Sequence, residues 1–319
     1  MCAIFGLLDF QDKLTPAQRL ALFRELANAA QMRGTDASGV AYAQNGTIQI
    51  QKAPRPACKM RWRIAPDARY LMGHTRMTTQ GAASKNYNNH PFPGRAGGTA
   101  FALAHNGVLC NDEALRRAQH LPATKIETDS YVAVQLIEKY GELSATSLCR
   151  MAEALDGTFT ITVLDAKNTM YFVRGNNPLA IRFLSRLGCY LYASTGEILD
   201  MALAALGLSG LACTNIPITQ GDIMTIDAKG RRTVTRFDDA RLWTPRYFCD
   251  WSWRGYVMPE HNDYLETVLE YGKRHGVSER ELRLLIDAGY DAMDLEELIY
   301  DHQFRGHCIQ EIMADFGVY

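Results

Sequence analysis

The stretch MCAIFGLL (residues 1–8) places a cysteine directly after the first methionine and then continues as a short apolar strand. Free cysteine is among the most frequently buried residue types, so one interpretation of Cys2 is an inert thiol in that strand. The alternative is that Met1 is removed, as happens before small side chains, which leaves Cys2 with a thiol and a free α-amine. With a reference pKa of about 8, that amine can take the thiol proton, as an N-terminal threonine's amine does in its own enzyme class.

The composition predicts a soluble, cytoplasmic protein. The chain has 319 residues, enough for one large domain and a small one, and its 47% hydrophobic and 22% charged residues are ordinary for globular proteins. A formal net charge of −1 provides no general attraction for nucleic acid or an anionic membrane. No apolar run approaches the roughly 20 residues of a membrane helix, and no signal peptide is evident.

The cysteines are scattered and predict reduced thiols. They stand at positions 2, 58, 110, 149, 189, 213, 249 and 308. No Cys-x-x-Cys pair and no Cys/His cluster with zinc spacing occurs, so we expect neither a disulfide framework nor a metal site. Nothing in the sequence indicates a cofactor.

The first 235 residues predict an α+β fold in which helices are layered on mostly antiparallel sheet. A helix begins at the capping box of Thr15 and Gln18 and ends before Arg33, a second covers 128–140, and a third lies near 196–206. Strands are predicted near residues 39–43, 47–51, 70–75, 100–105, 158–165, 169–175, 179–183, 189–194, 222–226 and 232–236.

The rest of the chain predicts a different kind of structure. Residues 236–261 form an aromatic-rich connecting segment with three of the four tryptophans, and residues 262–319 form a small all-α domain. Capping boxes begin at Ser278 and Asp294, and Gly276, Gly289 and Gly306 separate short helices. A helical core is expected from Leu282, Leu285, Ile286, Leu295, Leu298 and Ile299.

Four polar clusters lie at strand ends or in loops, where functional residues concentrate. They are RGTDASG (33–39), GHTRMTTQG (73–81), AHNG (104–107) and ETDS (127–130). Taken singly, Asn-Gly is typical of a turn, Thr-Asp of a helix cap, and an arginine at a strand end of a surface charge. Their combination in this order behind Cys2 is far more specific.

That combination resembles the glutaminase domain of class II glutamine amidotransferases, within the N-terminal nucleophile hydrolases. The likeness is to glucosamine-6-phosphate synthase and amidophosphoribosyltransferase, and it covers about three-quarters of the chain. It rests on the segments Cys2-Ala3-Ile4-Phe5-Gly6, Arg33-Gly34-Thr35-Asp36, Gly73-His74-Thr75-Arg76, His105-Asn106-Gly107 and Thr128-Asp129. The resemblance implies a sandwich of antiparallel sheets layered with helices, here with the small all-α appendage.

The resemblance also implies a role for each matched residue. Cys2 attacks the side-chain amide of L-glutamine, and Asn106 and Gly107 donate hydrogen bonds to the oxyanion that forms. Arg76 binds the substrate carboxylate, Thr79 adds a hydroxyl, and Asp129 binds the ammonium group. His74 and His105 are alternative general bases, although packing at strand ends is the simpler interpretation of both.

This chain departs from the pattern at a few positions. Ala3 replaces the glycine common after the nucleophile. Met77 and Gln80 stand where the synthase has tryptophan and histidine, in a loop that closes over glutamine and sequesters ammonia. The roughly 80 residues after the glutaminase domain are too few for an acceptor domain, so we expect either a separate ammonia-accepting synthase or a free-standing glutaminase.

Other functions stay open at this point. The chain is alternatively an amidase on another γ-glutamyl compound, or a non-catalytic adaptor acting through the C-terminal helices. Those helices are a packing appendage, a protein-docking module or a nucleic-acid-binding module. A basic stretch is a solvated loop or a site for an anionic partner; it comprises Lys52, Arg55, Lys59, Arg61, Arg63 and Arg69 around Trp62.

Overall fold

The computed structural model describes residues 2–242 and, beyond them, 265, 268–269, 272–273, 276–288, 290, 295, 298–299 and 302–315. The chain forms two compact units, Met1–Tyr247 and Phe248–Tyr319. The division into residues 1–235, 236–261 and 262–319 stays a prediction, and most of the aromatic segment lies outside the described residues. In the described part of the chain, no helix is long and apolar enough to cross a membrane.

Strands and helices are numbered in chain order. The described strands are β1 (Ala3–Leu8), β2 (Ala37–Gln44), β3 (Thr47–Ala53), β4 (Tyr70–Arg76), β5 (Phe92–Ala96), β6 (Thr99–Leu109), β7 (Gly157–Asp165), β8 (Met170–Arg174), β9 (Ala180–Leu184), β10 (Cys189–Ala193), β11 (Cys213–Asn215), β12 (Asp222–Ile226) and β13 (Arg232–Arg236). The described α-helices are α1 (Pro16–Ala30), α2 (Asp112–Ala118), α3 (Tyr131–Tyr140), α4 (Ala145–Ala154), α5 (Gly196–Ala205), α6 (Glu279–Asp287) and α7 (His302–Asp315).

The strands of the first unit form two antiparallel sheets. The seven-stranded sheet has the order β11-β9-β10-β1-β4-β2-β3, and the six-stranded sheet has the order β13-β12-β8-β7-β6-β5. One apolar core draws side chains from both sheets, such as Ile4 and Met72 from the first and Ala104 and Phe172 from the second. The two sheets therefore pack face to face as a sandwich.

Helices cover the outer face of each sheet. Apolar side chains of α1 and α5, including Phe23 and Leu199, join Phe5 and Leu191 of the seven-stranded sheet in one core. Side chains of α3 and α4 join those of the six-stranded sheet in another. The α+β class and the layered, antiparallel arrangement predicted from the sequence are confirmed.

Helix boundaries follow the local signals that the sequence carries. The Thr15 side chain accepts from the Gln18 N–H, and the Gln18 side chain accepts from the Thr15 N–H, so the predicted capping box is formed. Gly141 ends α3 in the left-handed conformation, with φ of 78°, which glycine adopts without a steric penalty.

Four short elements were not predicted: β5, β11, α2 and α4. The sequence of β5 is FPGRA, in which proline and glycine are typical of a turn, and the segment is a strand because it pairs with β6. Helix α4 begins at a serine capping box of Ser144 and Ser147, which lacks the usual glutamate. These elements depend on pairing and packing with distant residues, which local patterns do not record.

The described residues of the second unit confirm its helical character. The Ser278 capping box is formed, and α6 buries Leu282 and Leu285 in a cluster that also contains Cys308 and Ile312 of α7. All six predicted core residues belong to this cluster, with Ile286 partly buried. Gly306 was predicted to separate helices, which is wrong because it lies within α7. Asp294 and Gly289 lie outside the described residues.

The expectation that every thiol is reduced is wrong, as Cys110 shows among the described residues. Cys110, directly after β6, is disulfide-bonded, whereas Cys2, Cys58, Cys149 and Cys189 are among the free cysteines. Wide spacing in the sequence gives no information on which cysteines the fold brings together.

The basic stretch between β3 and β4 is anchored through its tryptophan. The Trp62 ring packs edge-to-face on Phe23 with 5.2 Å between ring centroids, at the periphery of the core under α1. The side chains of Arg55, Lys59 and Arg61 are exposed. Trp62 therefore serves packing, whereas Lys52 is half-buried and donates to the Asn89 and Pro91 carbonyl oxygens.

A buried ion pair joins the end of β1 to α1. Asp9 is fully buried and accepts from the Leu14 N–H and from Arg19 Nη1, the latter at 2.9 Å. Arg19 also contacts Asp12, whose side chain is 59% exposed. Removing one partner of a buried pair leaves the other charge uncompensated.

We expect Asp9→Asn to lower the free energy of unfolding by about 3 kcal/mol. Asp12→Asn is the matched control, because it removes an exposed partner of the same arginine and should cost at most about 1 kcal/mol. Urea unfolding followed by circular dichroism measures both values. Equal effects of the two variants would contradict the importance of the buried pair.

Candidate active site

A narrow cleft at the start of β1 gathers residues from segments far apart in the sequence. It is lined by Cys2, Arg76, Met77, Thr79, Gln80, His90, His105, Gly107, Thr128, Asp129 and Ser130. Five of the six predicted site residues are in this set, and the sixth, Asn106, is fully buried beside Gly107. The structure thus brings the predicted residues together, while their roles stay predictions.

Cys2 stands immediately before β1, which lies between β10 and β4 in the seven-stranded sheet. Its thiol is half-buried and lies 3.4 Å from the Met77 carbonyl oxygen, and its own carbonyl oxygen accepts from Arg33 Nε at 3.1 Å. Burial raises the pKa of the Cys2 thiol, and the nearby charge of Arg76 acts in the opposite direction. A base is therefore needed to make the thiolate.

Arg76 is the last residue of β4 and organises the loop that follows it. Its guanidinium donates to Asn89 Oδ1 at 2.7 Å and to the main-chain oxygens of Gln80 and Gly81. The same loop is held from the other side, because the Asp36 carboxylate accepts from the Thr78 N–H at 2.7 Å. The RGTDASG cluster thus supports both the residue that precedes β1 and the loop that carries Thr79.

Asp129 lies just before α3, with a nearly buried carboxylate. It accepts from the Leu109 N–H at 2.6 Å and from the Ser130 hydroxyl at 3.3 Å. The first bond ties Asp129 to the end of β6, the strand that carries Asn106 and Gly107. Asp129 brings a negative charge to the cleft that Arg76 also lines.

The Asn106-Gly107 pair lies within β6 of the six-stranded sheet. Gly107 has φ of +141°, and a Cβ there would come within 2.0 Å of the Thr158 carbonyl oxygen, so only glycine fits. The Asn106 carbonyl oxygen accepts from Asn177 Nδ2 at 2.9 Å, and its own Nδ2 donates to Ser194 Oγ. The backbone at this point is fixed by neighbours from three different segments.

Three buried histidines lie at the cleft, where His90 and His105 belong to its lining and His74 packs against His90. His74 Nε2 bonds the His105 carbonyl oxygen at 3.0 Å, and the His74 and His90 rings stack with 4.2 Å between centroids. His105 Nδ1 bonds the Ser130 hydroxyl at 2.8 Å. Burial lowers the pKa of His74 to about 3 and also lowers the pKa values of His90 and His105. Burial thus makes His74 and His105 weaker bases, which favours the packing interpretation of both.

Sequence reasoning missed His90, Ser194 and the lining residue Ser130. Neither ring nitrogen of His90 has a hydrogen-bond partner among the described residues. Its position, between β4 and β5, is reached only through the folding of a loop that carries no periodic signal. Ser194 could have been noticed as the polar residue that ends the apolar strand CYLYA.

The arrangement combines a thiol with one positive and one negative side chain in a cleft of modest size. Such a pair of charges suits a zwitterionic ligand, and the thiol suits attack on a carbonyl carbon. Within the described residues, no group of three His, Cys, Asp or Glu side chains could hold a metal ion.

Comparisons with known proteins give relatives for the first part of the chain. No protein-family model matches it. The glutamine–fructose-6-phosphate aminotransferase (isomerizing) of Geobacillus kaustophilus is 31% identical over 189 residues, covering 57% of this chain and 30% of that protein. The protein of the same name from Halalkalibacterium halodurans is 30% identical over 190 residues, with the same coverage. The chain thus spans about a third of the length of these curated relatives.

Solved structures share the fold at lower identity. A glutamine phosphoribosylpyrophosphate amidotransferase from B. subtilis, complexed with ADP and GMP, matches with a TM-score of 0.57 and 18% identity over 74% of this chain and 49% of that one. An allosteric regulatory enzyme of purine biosynthesis matches with a TM-score of 0.59 and 20% identity, with the same coverage. Taken together, the motif order, the two-sheet fold and the curated relatives show that the N-terminal unit of this chain resembles the class II glutamine amidotransferases.

Proposed function

We propose that this protein hydrolyses L-glutamine to glutamate and ammonia through a thioester on Cys2, after removal of Met1, and supplies the ammonia to an acceptor enzyme on a separate chain. The observation that carries the proposal is the cleft itself. It places Cys2 with Arg76, Thr79, Gly107 and Asp129, which come from separate segments of the sequence.

The reaction follows from the chemistry of a thiol with an adjacent amine. The Cys2 amine takes the thiol proton, and the sulfur adds to the δ-carbon of glutamine to form a tetrahedral oxyanion. Collapse breaks the C–N bond, and the protonated amine returns its proton to the departing ammonia. Water then hydrolyses the thioester, which releases glutamate and restores the thiol.

The proposed binding roles rest on charge and donor geometry. The Arg76 guanidinium is a planar donor suited to the substrate α-carboxylate, and Thr79 supplies a hydroxyl on the same loop. Asp129 compensates the α-ammonium group. The Asn106 amide and the Gly107 N–H are the proposed oxyanion donors, each worth on the order of 3 kcal/mol in the transition state.

The proposed acceptor of the ammonia is an enzyme on a separate chain. The aligned curated relatives are matched over only 30% of their length, and their names describe transfer of the amide nitrogen to fructose 6-phosphate. The loop over the cleft carries Met77, which is 47% exposed. An exposed apolar side chain beside the cleft supports contact of this loop with a partner protein.

Cys2→Ala should abolish glutaminase activity, because the reaction has no other nucleophile. Glutamate and ammonia release by the purified protein measure the activity, and intact mass shows whether Met1 is absent. Cys58→Ala is the control, because it removes an exposed free thiol that is not part of the cleft. Turnover that survives in Cys2→Ala would contradict the proposal, and activity only on other γ-glutamyl amides would favour the alternative amidase.

Asp129→Asn should raise KM for glutamine about 10- to 100-fold, with a much smaller change in kcat. The amide keeps an oxygen for the Leu109 N–H but loses the charge that compensates the substrate ammonium, worth about 1.5–3 kcal/mol. Asp165→Asn is a matched control, since Asp165 is equally buried and bonds the Lys167 N–H at a turn. An unchanged KM in Asp129→Asn would exclude the proposed ammonium site.

The pH dependence of kcat/KM should show a rise through the pKa of the Cys2 amine, for which the reference value is about 8. The amine acts as a base only when neutral, so activity falls as pH decreases. Burial lowers the pKa values of the three histidines, that of His74 to about 3, so we expect the main rise of activity with pH to follow the Cys2 amine. An additional rise of kcat/KM near pH 6.5 that is absent in His105→Asn would identify a histidine base instead.

A further inference from the structure

Ser194 holds the strand of the nucleophile in place. It follows β10 directly and is fully buried. Its N–H donates to the Ile4 carbonyl oxygen at 2.9 Å, and its hydroxyl oxygen accepts from the Ile4 N–H at 3.0 Å. Both main-chain groups of Ile4, two residues after Cys2, are therefore bound by one serine.

The same hydroxyl also reaches the opposite sheet. Asn106 Nδ2 lies 3.4 Å from Ser194 Oγ and makes this hydrogen bond from a fully buried position. An amide nitrogen carries two hydrogens, and no other acceptor for Nδ2 occurs among the described residues. Asn106 Oδ1 has no partner in that part of the chain either. Ser194 is thus the group that orients the amide.

We propose that Ser194 is a positioning residue that aligns the Asn106 amide with the Cys2 thiol, an inference that rests on the proposed function. One hydrogen of Nδ2 is directed to Ser194, which leaves the second for the oxyanion that forms on the substrate. Because the serine oxygen also bonds Ile4, the nucleophile strand and the oxyanion donor share one anchor. A donor held in advance stabilises the transition state without reorganisation.

Ser194→Ala removes the anchor and leaves the amide free to turn. We expect kcat for glutamine to fall about tenfold with KM nearly unchanged, because an oxyanion donor acts on the transition state rather than on bound substrate. Ser147→Ala is the matched control: it is a buried serine of α4 whose hydroxyl donates to the Ser144 carbonyl oxygen, and it should leave kcat unchanged. Thermal unfolding of each variant separates a loss of stability from a loss of rate.

A double-mutant cycle with Asn106→Ala provides the decisive readout. If Ser194 acts through the Asn106 amide, adding Ser194→Ala to Asn106→Ala lowers kcat no further. If the two losses multiply, or if KM rises as much as kcat falls, the positioning role is overturned.

Two further measurements keep the result interpretable. Ser194→Cys retains the size of the side chain and a weak acceptor, and it takes the place of Ser194→Ala in the cycle if that variant fails to fold. An inactive wild-type protein with Met1 removed would overturn the proposed function and the role of Ser194 with it. If the wild type is active but Ser194→Ala and Asn106→Ala lower kcat independently of each other, only the role of Ser194 is overturned.

Discussion

The main-chain hydrogen bonds of β1 are the constraint on which the site depends. The strand lies between β10 and β4, with Ile4 opposite His74 and Phe5 opposite Ala193. Its side chains alternate between two cores, since Phe5 packs under α1 while Ile4 packs between the sheets. A shift by one residue would exchange these faces, so the strand has a single register. Because Cys2 directly precedes the strand, the register of the strand also sets the position of Cys2.

The second half of the site comes from the other sheet, so the packing of the sandwich sets its geometry. Strand β6 carries Asn106 and Gly107, and polar contacts next to the site cross between the sheets, among them His74 Nε2 with the His105 carbonyl oxygen and Asn106 Nδ2 with Ser194. Protein interiors are close-packed and resist deformation, which keeps such distances constant. A rigid sandwich therefore holds the thiol and the proposed oxyanion donors in a fixed relation.

Burial also controls which groups near the cleft carry charge. Desolvation lowers the pKa values of the three histidines and raises the pKa of the thiol, so Arg76 and Asp129 provide the contrasting charges of the cleft. A weakly basic histidine cluster adjacent to a thiol that still needs a base is consistent with an amine on Cys2 itself. These pKa directions are compatible with the proposed amine base.

The sequence by itself determined the class of fold, most of the long strands, the caps of α1 and α6, and five of the residues that line the cleft. These features depend on local periodicity, on short-range hydrogen bonds and on ordered motifs, all of which can be read along the chain. Only the tertiary structure decided the strand character of β5, the helix that includes Gly306, the disulfide at Cys110, and the contacts of Ser194 with Ile4 and Asn106. Each of these depends on residues that are distant in sequence and adjacent in space, and that proximity arises only when the two sheets and their helices pack together.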